Sequence, residues 1–189
     1  MKKFFFVIVS VISVSFVNAQ TSFGIKGGVN LSTTTGDNSE FFSSAIGAYF
    51  GGMAKFPIDS KFSIQTEGML SFEGAKFSVN GATGKTSATY ARFPVLGQYH
   101  AGAGFTLQSG PELGLLMGAT LKVTNGGSTS IKDAMKSTDF AWAFGVSFVP
   151  NKSKVGMSLR YNLGLSNINS DSGPANRTSV WQIGTFITL

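Results

Sequence analysis

Cysteine is absent from the 189-residue chain, which excludes a disulfide framework and every thiolate metal site. Histidine occurs once, at position 100, so no imidazole cluster is available for metal binding or for a proton relay. Charged residues are scarce as well: 13% of the chain, against about 25% in an average soluble domain. Low charge does not signal disorder here, because 42% of residues are hydrophobic and 13% aromatic. The basic excess of +6 is thin and scattered, which argues against a nucleic-acid partner. After the first two dozen residues there is no apolar run approaching the ~20 positions of a membrane-spanning helix. The length fits one domain.

The start of the chain reads as an address. Lys2 and Lys3 precede a short apolar run from Phe4 to Val17, and Val17-Asn18-Ala19 supplies small residues at the positions a signal peptidase requires. A secretory leader over residues 1–19 is therefore predicted, with cleavage before Gln20 and a single domain over 20–189. Its removal takes two lysines and leaves a formal charge of +4. No cysteine follows the cut, so a lipid-modified N-terminus is not expected.

From there the dominant signal is alternation with period two, the strand period. Eight segments show it. Phe23, Ile25, Val29 and Leu31 alternate with Gly24, Lys26, Gly28 and Asn30; Phe62, Ile64, Leu70 and Phe72 alternate with Ser63, Gln65, Glu67, Ser71 and Glu73. Similar patterns occur around Ile46–Phe56, Ala88–Tyr99, Phe105–Lys122, Asp139–Phe148, Val155–Ser166 and Trp181–Leu189. Short links at Pro57–Ser60, His100–Ala103 and Pro150–Ser153 alternate with long Ser/Thr/Gly/Asn-rich links at Ser32–Ser44, Gly74–Ser87, Val123–Thr138 and Asn167–Thr178. That is the wiring of an up-and-down meander, with every short turn at one end. Ile131 and Met135 mark the third long link as the one able to seat a short helix.

The polar face is mostly Gly, Ser, Thr, Asn and Gln, a poor exterior for a soluble sheet but suited to the narrow interior of an eight-stranded barrel. Pointing the apolar face outward into lipid makes closure compulsory, because no backbone group in hydrocarbon can be left unpaired. The predicted fold is all-β: an eight-stranded antiparallel up-and-down transmembrane β-barrel. Segments of about 10–13 residues are compatible with the ~9–11 of a tilted membrane strand. The aromatic residues support this orientation, because they fall on the outward face near both ends. Phe23, Phe56, Phe62, Tyr99, Phe105 and Phe148 lie towards the short turns, and Phe72, Phe140, Trp142 and Trp181 towards the long links, as two interfacial girdles. A soluble lipocalin-like binder is the opposite orientation of the same strands.

The strand Phe23-Gly24-Ile25-Lys26-Gly27-Gly28-Val29-Asn30-Leu31-Ser32 resembles the opening strand of the PorT-like outer-membrane β-barrel domain. Phe93-Pro94-Val95-Leu96 before Tyr99, Gly110-Pro111-Glu112-Leu113-Gly114, and Arg160-Tyr161-Asn162-Leu163-Gly164-Leu165-Ser166-Asn167-Ile168 are similar to its fourth, fifth and penultimate strands. The resemblance implies residence in the outer membrane of a Gram-negative cell. It implies contact with outer-membrane lipid and assembly machinery, and for the family's namesake a part in protein secretion.

Little in the sequence points to catalysis, and no enzyme activity, cofactor or metal is expected. His100 lies in a short turn away from the long-link end, where it reads as an exposed turn residue. Asp37 and Glu40 share the first long link, where a weakly held cation is the alternative to solvated charges. More informative are the charges on the inward face: Lys26, Arg92, Lys122 and Arg160 with Glu67, Glu73, Glu112 and Asp139. Charges in a low-dielectric interior persist when paired, so an ion-pair and hydrogen-bond network plugging the lumen is predicted. Pro94 and Pro111 each remove a ladder donor and are expected to mark bulges or irregularities. Lys55, Lys61, Lys152 and Lys154, near the short turns, are placed to meet anionic headgroups. These features favour a structural or interaction protein whose long loops meet an extracellular or secretion-system partner. A narrow-pore or small-ligand transport barrel is the alternative.

Overall fold

The computed structural model describes residues 21–37, 39–79, 82–124, 126–151, 153–169 and 175–189. The leader expected over residues 1–19 and Lys152 lie outside them. Nine strands are present: β1 (Ser22–Gly36), β2 (Phe42–Pro57), β3 (Phe62–Val79), β4 (Ala82–Gly102), β5 (Phe105–Val123), β6 (Ser128–Ser130), β7 (Thr138–Phe148), β8 (Val155–Gly164) and β9 (Asn176–Thr188). Single 3-10 turns sit at Ser39–Phe41 and Lys132–Ala134. All pairings are antiparallel, and β4–β5 and β1–β9 contacts complete a closed ring of eight strands. The short β6 is an addition to that ring: it pairs with β5 over Thr120–Lys122, beyond the point where β7 stops at Leu115. It thereby covers an edge that would otherwise be free.

Alternation decides the faces. Ile46 is 73% exposed and Phe23 59%, while Ser71, Arg92 and Asp139 are fully buried. The apolar set forms the outer wall and the polar set fills the lumen, the arrangement that a hydrocarbon solvent requires.

Three expectations are corrected. The eight ring strands run from 10 to 21 residues, most of them longer than predicted, because pairing continues into segments read as links. Residues 74–79 and 82–87 in particular are ladder, with register continuous to Val79 and Ala82; their Ser, Thr and Lys residues satisfy the strand period as well as a loop composition. The prolines do not displace the register either. Pairs are skipped on both sides of Pro94, between Thr66–Val95 and Met69–Arg92 and between Pro94–Glu112 and Gly97–Ser109, yet the register is the same before and after. The register shifts lie elsewhere: between Ser44 and Tyr49 on β2, between His100 and Gly102 on β4, and at Thr89–Tyr90, the one that bears on the lumen. Tyr90 pairs with Leu116 and Thr89 with Gly118, leaving Met117 as an extra residue on β5.

That extra residue overturns one lumen assignment. Up to Leu116 the even positions of β5 face inward; beyond Met117, Ala119 is buried and Lys122 is exposed. One inserted residue exchanges the two faces of a strand. Lys122 therefore belongs to the outer surface of the loop end.

The third long link is ordered as its apolar residues suggest. Ile131 and Met135 flank the second 3-10 turn and pack on a cluster of Ala88, Tyr90, Leu116 and Ala119.

A candidate functional site in the polar lumen

Seven of the eight predicted lumen charges are brought together, in two groups. Towards the short-turn end, Glu67 on β3 takes a bidentate contact from Arg160 on β8, with Nη2 to Oε1 at 2.6 Å and Nη1 to Oε2 at 2.8 Å. Lys26 on β1 approaches the same carboxylate from the other side at 3.0 and 3.1 Å. Gln65 donates to Glu67 Oε1 at 2.6 Å, Gln98 donates to Gln65 at 2.9 Å, and Ser63 donates to Gln98 at 3.0 Å. The chain of contacts reaches His100, whose Nε2 lies 3.0 Å from Ser63 Oγ and whose Nδ1 lies 3.0 Å from Thr106 Oγ1. His100 is accordingly half-buried at the end of β4, correcting its reading as an exposed turn residue. Both ring nitrogens are within hydrogen-bond distance of hydroxyls, those of Ser63 and Thr106.

Towards the loop end, Arg92 on β4 gathers three carboxylates. Its Nε and Nη2 each meet Glu73 at 2.7 Å; Nη1 lies 2.9 Å from Asp139 and 3.2 Å from Glu112. The guanidinium stacks on the Tyr90 ring at 4.5 Å. Remaining lone pairs are partly served by hydroxyls and amides: Ser71 donates to Glu73 at 2.7 Å, and Ser166 and Thr178 donate to Asp139 at 2.9 Å. Asn30 donates to Ser71 at 2.9 Å and accepts from Gln182 at 3.2 Å. Packing this large a side chain needs space on the opposite strand. A Cβ at Gly114 would stand 2.8 Å from Arg92 Nη1, so glycine at that position is what admits the guanidinium.

The uncharged members of these networks, Asn30, Gln65, Ser71, Gln98 and Gln182, sit at the polar parity of their strands. Tyr49, Tyr90, Met69 and Leu96 are apolar or aromatic at that same parity, and it was their position, not their type, that carried the signal. They fill the cross-section between the charges: Leu96 and Tyr90 are essentially inaccessible. A recess of about 60 Å³ opens at the short-turn mouth, lined by Lys26, Gln65, Gln98, Gln108 and neighbours.

Other sequence candidates are dispersed. Asp37 and Glu40 are exposed, and Asp37 accepts from the Ala175 amide at 3.1 Å. Among the described residues no group of three His, Cys, Asp or Glu side chains is arranged to hold a metal ion. Of the aromatics assigned to girdles, Phe23, Phe62, Phe72, Tyr99, Phe105, Phe140, Trp142 and Trp181 are exposed on the outer wall, while Phe56 and Phe148 are half-buried there. Phe62 packs on Tyr99 at 5.2 Å and Phe105 on Phe148 at 4.8 Å, each pair bridging two strands near the short turns.

Residues 18–170 match the family described as outer membrane protein beta-barrel domain. Among solved structures, the chain is similar to Neisserial surface protein A, NspA, with 14% identity and a TM-score of 0.56 over 89% of this chain and 99% of that one. It is similar also to Ail, the attachment invasion locus protein of Yersinia pestis, in complex with the heparin analogue sucrose octasulfate. Here identity is 15% and the TM-score 0.55, over 89% of this chain and 99% of that one. At such identities the likeness is one of fold. No curated protein sequence matches.

Proposed function

The chain belongs to the outer membrane protein beta-barrel domain family and resides in the outer membrane, and from that premise we propose that it is a non-enzymatic interaction barrel with a plugged lumen. The observation that carries this reading is the filled cross-section. Arg92 with Glu73, Glu112 and Asp139, and Glu67 with Arg160 and Lys26, span the lumen at two successive levels. A selectivity ring for ions needs a continuous aqueous path past it, which these contacts occupy. Small-ligand transport through the lumen finds equally little support, because the recess at the short-turn mouth, about 60 Å³, falls far below the ~300 Å³ at which ligand pockets begin.

Function then resides at the two surfaces the barrel presents. Short turns of such barrels face the periplasm and long loops the exterior. In this reading the aromatics on the outer wall seat the barrel at both interfaces, and the loop end meets its partner. The PorT-like resemblance makes a component of protein secretion the expected class of partner. The β5–β7 connection, where Ile131 and Met135 pack on the Ala88, Tyr90, Leu116 and Ala119 cluster, is the platform this reading favours.

Reconstitution of the purified monomer in planar bilayers tests the plug. No steady current is expected at moderate voltage, and a stable open-channel current would overturn the reading in favour of a narrow pore.

A further inference from the structure

The register places three lysines in one line across three strands. Lys76 on β3 is directly opposite Lys85 on β4, and Lys85 is directly opposite Lys122 on β5. All three are exposed, and all three lie at the outward parity of their strands, Lys122 because of the Met117 bulge. Adjacent strands are ~4.8 Å apart, so three positive charges fall within about 10 Å. Like charges directly opposite one another oppose strand pairing. None of the ion pairs formed among described residues includes any of the three. The rows on either side are rich in hydroxyls: Ser87 and Thr120 on one side, Ser78, Thr83 and Thr124 on the other. Thr83 and Thr124 are themselves linked at 3.0 Å.

We propose that the Lys76–Lys85–Lys122 row is a binding site for the phosphorylated headgroup of an outer-leaflet lipid. The ligand class follows from the chemistry: ammonium groups flanked by hydroxyl donors match the oxygens of a phosphate, with lysine acting as a point charge. The source follows from the geometry. The row projects sideways from the same wall as Leu70 and Phe72, both exposed on the apolar belt, so what it meets lies beside the barrel. Lys76 is four residues beyond Phe72, about 13 Å along the strand and roughly 10 Å in height at the tilt of such barrels. That is headgroup level when Phe72 marks the edge of the hydrocarbon. The inference rests on the membrane placement and is independent of any partner at the loops.

The test uses the mature chain folded in phosphatidylcholine nanodiscs containing either bis-phosphorylated lipid A or the same lipid with both phosphates removed. Wild type is compared with the Lys76→Gln/Lys85→Gln/Lys122→Gln triple variant and with a short-turn control, Lys55→Gln/Lys61→Gln/Lys154→Gln. Heat-modifiable gel migration reports closure of each barrel. Substitution relieves repulsion, so the triple variant is expected to close as well as wild type in plain phosphatidylcholine. Retention of bis-phosphorylated lipid A after extraction is expected to fall at least tenfold in the triple variant and to be unchanged in the control. The dephosphorylated lipid should be retained weakly and equally by all three. Equal retention of the bis-phosphorylated lipid by wild type and triple variant would overturn the proposal, as would equal retention of the two lipids by wild type. Titration with soluble sucrose octasulfate in neutral micelles separates the sources. Lysine-dependent saturable binding there, without lipid A retention, would reassign the row to a soluble polyanion and overturn the lipid site.

Discussion

Arg92 illustrates how much of this molecule is decided by single side chains. Among the described residues it is the one cation in ion-pair contact with Glu73, Glu112 and Asp139, and it is fully buried. Arg92→Met would remove the guanidinium that touches all three buried carboxylates; removal of one member of a buried pair costs about 3–5 kcal/mol. Urea unfolding in detergent micelles should show a loss of that order, and Glu73→Gln in the same background should recover part of it. Lys122→Gln, by contrast, should leave the unfolding midpoint nearly unchanged, since its ammonium faces outward. At the short-turn end, Asp59 provides a pH-dependent contribution. Its carboxylate accepts from the Lys61 and Phe62 amides at 2.7 and 2.8 Å, and these bonds hold its pKa below the ordinary value. A depressed folded-state pKa stabilises above the unfolded value of about 3.9, and that stabilisation is lost as pH falls through the folded value. The stability difference between wild type and Asp59→Asn should therefore be constant near neutrality and shrink below about pH 4. A difference that persists undiminished to the lowest accessible pH would contradict this role.

Among elements, β5 is the most consequential. Its lower half obeys the alternation visible in the sequence, with Gln108 and Glu112 inward and Leu107 and Met117 outward. Its upper half is inverted by the bulge. Cysteine labelling checks the inversion: with a water-soluble maleimide in detergent, Lys122→Cys should react faster than Leu121→Cys, and deletion of Met117 should reverse the order. The same inversion turns Ala119 inward, where Ile131 and Met135 cover it. The bulge, the 3-10 turn and β6 thus form one unit, which closes the mouth above β7, whose pairing with β5 stops at Thr138. At the opposite end, the β4–β5 turn passes through three residues with positive φ, Gly102, Ala103 and Gly104. Glycine enters that region without steric cost and supplies two of the three positions, while Ala103, at φ 51°, occupies the small left-handed well open to other residues, and this keeps the connection as short as the sequence suggests.

At the scale of the whole molecule, stability depends on a solvent that accepts a greasy exterior. Among the described residues, thirty-one large hydrophobic side chains are exposed, Phe23, Ile46 and Ile183 included. In water such a surface aggregates, whereas in lipid it is solvated and the closed ladder satisfies every strand. The mature chain is therefore expected to precipitate from detergent-free buffer. In micelles it should migrate as a compact band that shifts to the unfolded position only on boiling. A stable monomer in plain buffer would count against the inside-out arrangement.

What could be read from the residues alone was set by local periodicity. Alternation at Phe23–Leu31, Phe62–Phe72 and Asp139–Phe148 determined strand number and faces, and polar parity determined which charges enter the lumen, because side-chain direction in a strand needs no knowledge of neighbours. Pairing partners, by contrast, are a property of two strands at once. Only the tertiary structure decided that Glu67 is shared by Arg160 and Lys26, that Arg92 collects three acids, and that Met117 is an extra residue expelling Lys122 from the lumen. A bulge is a property of the register between two strands, here β4 and β5, and no single strand carries that information.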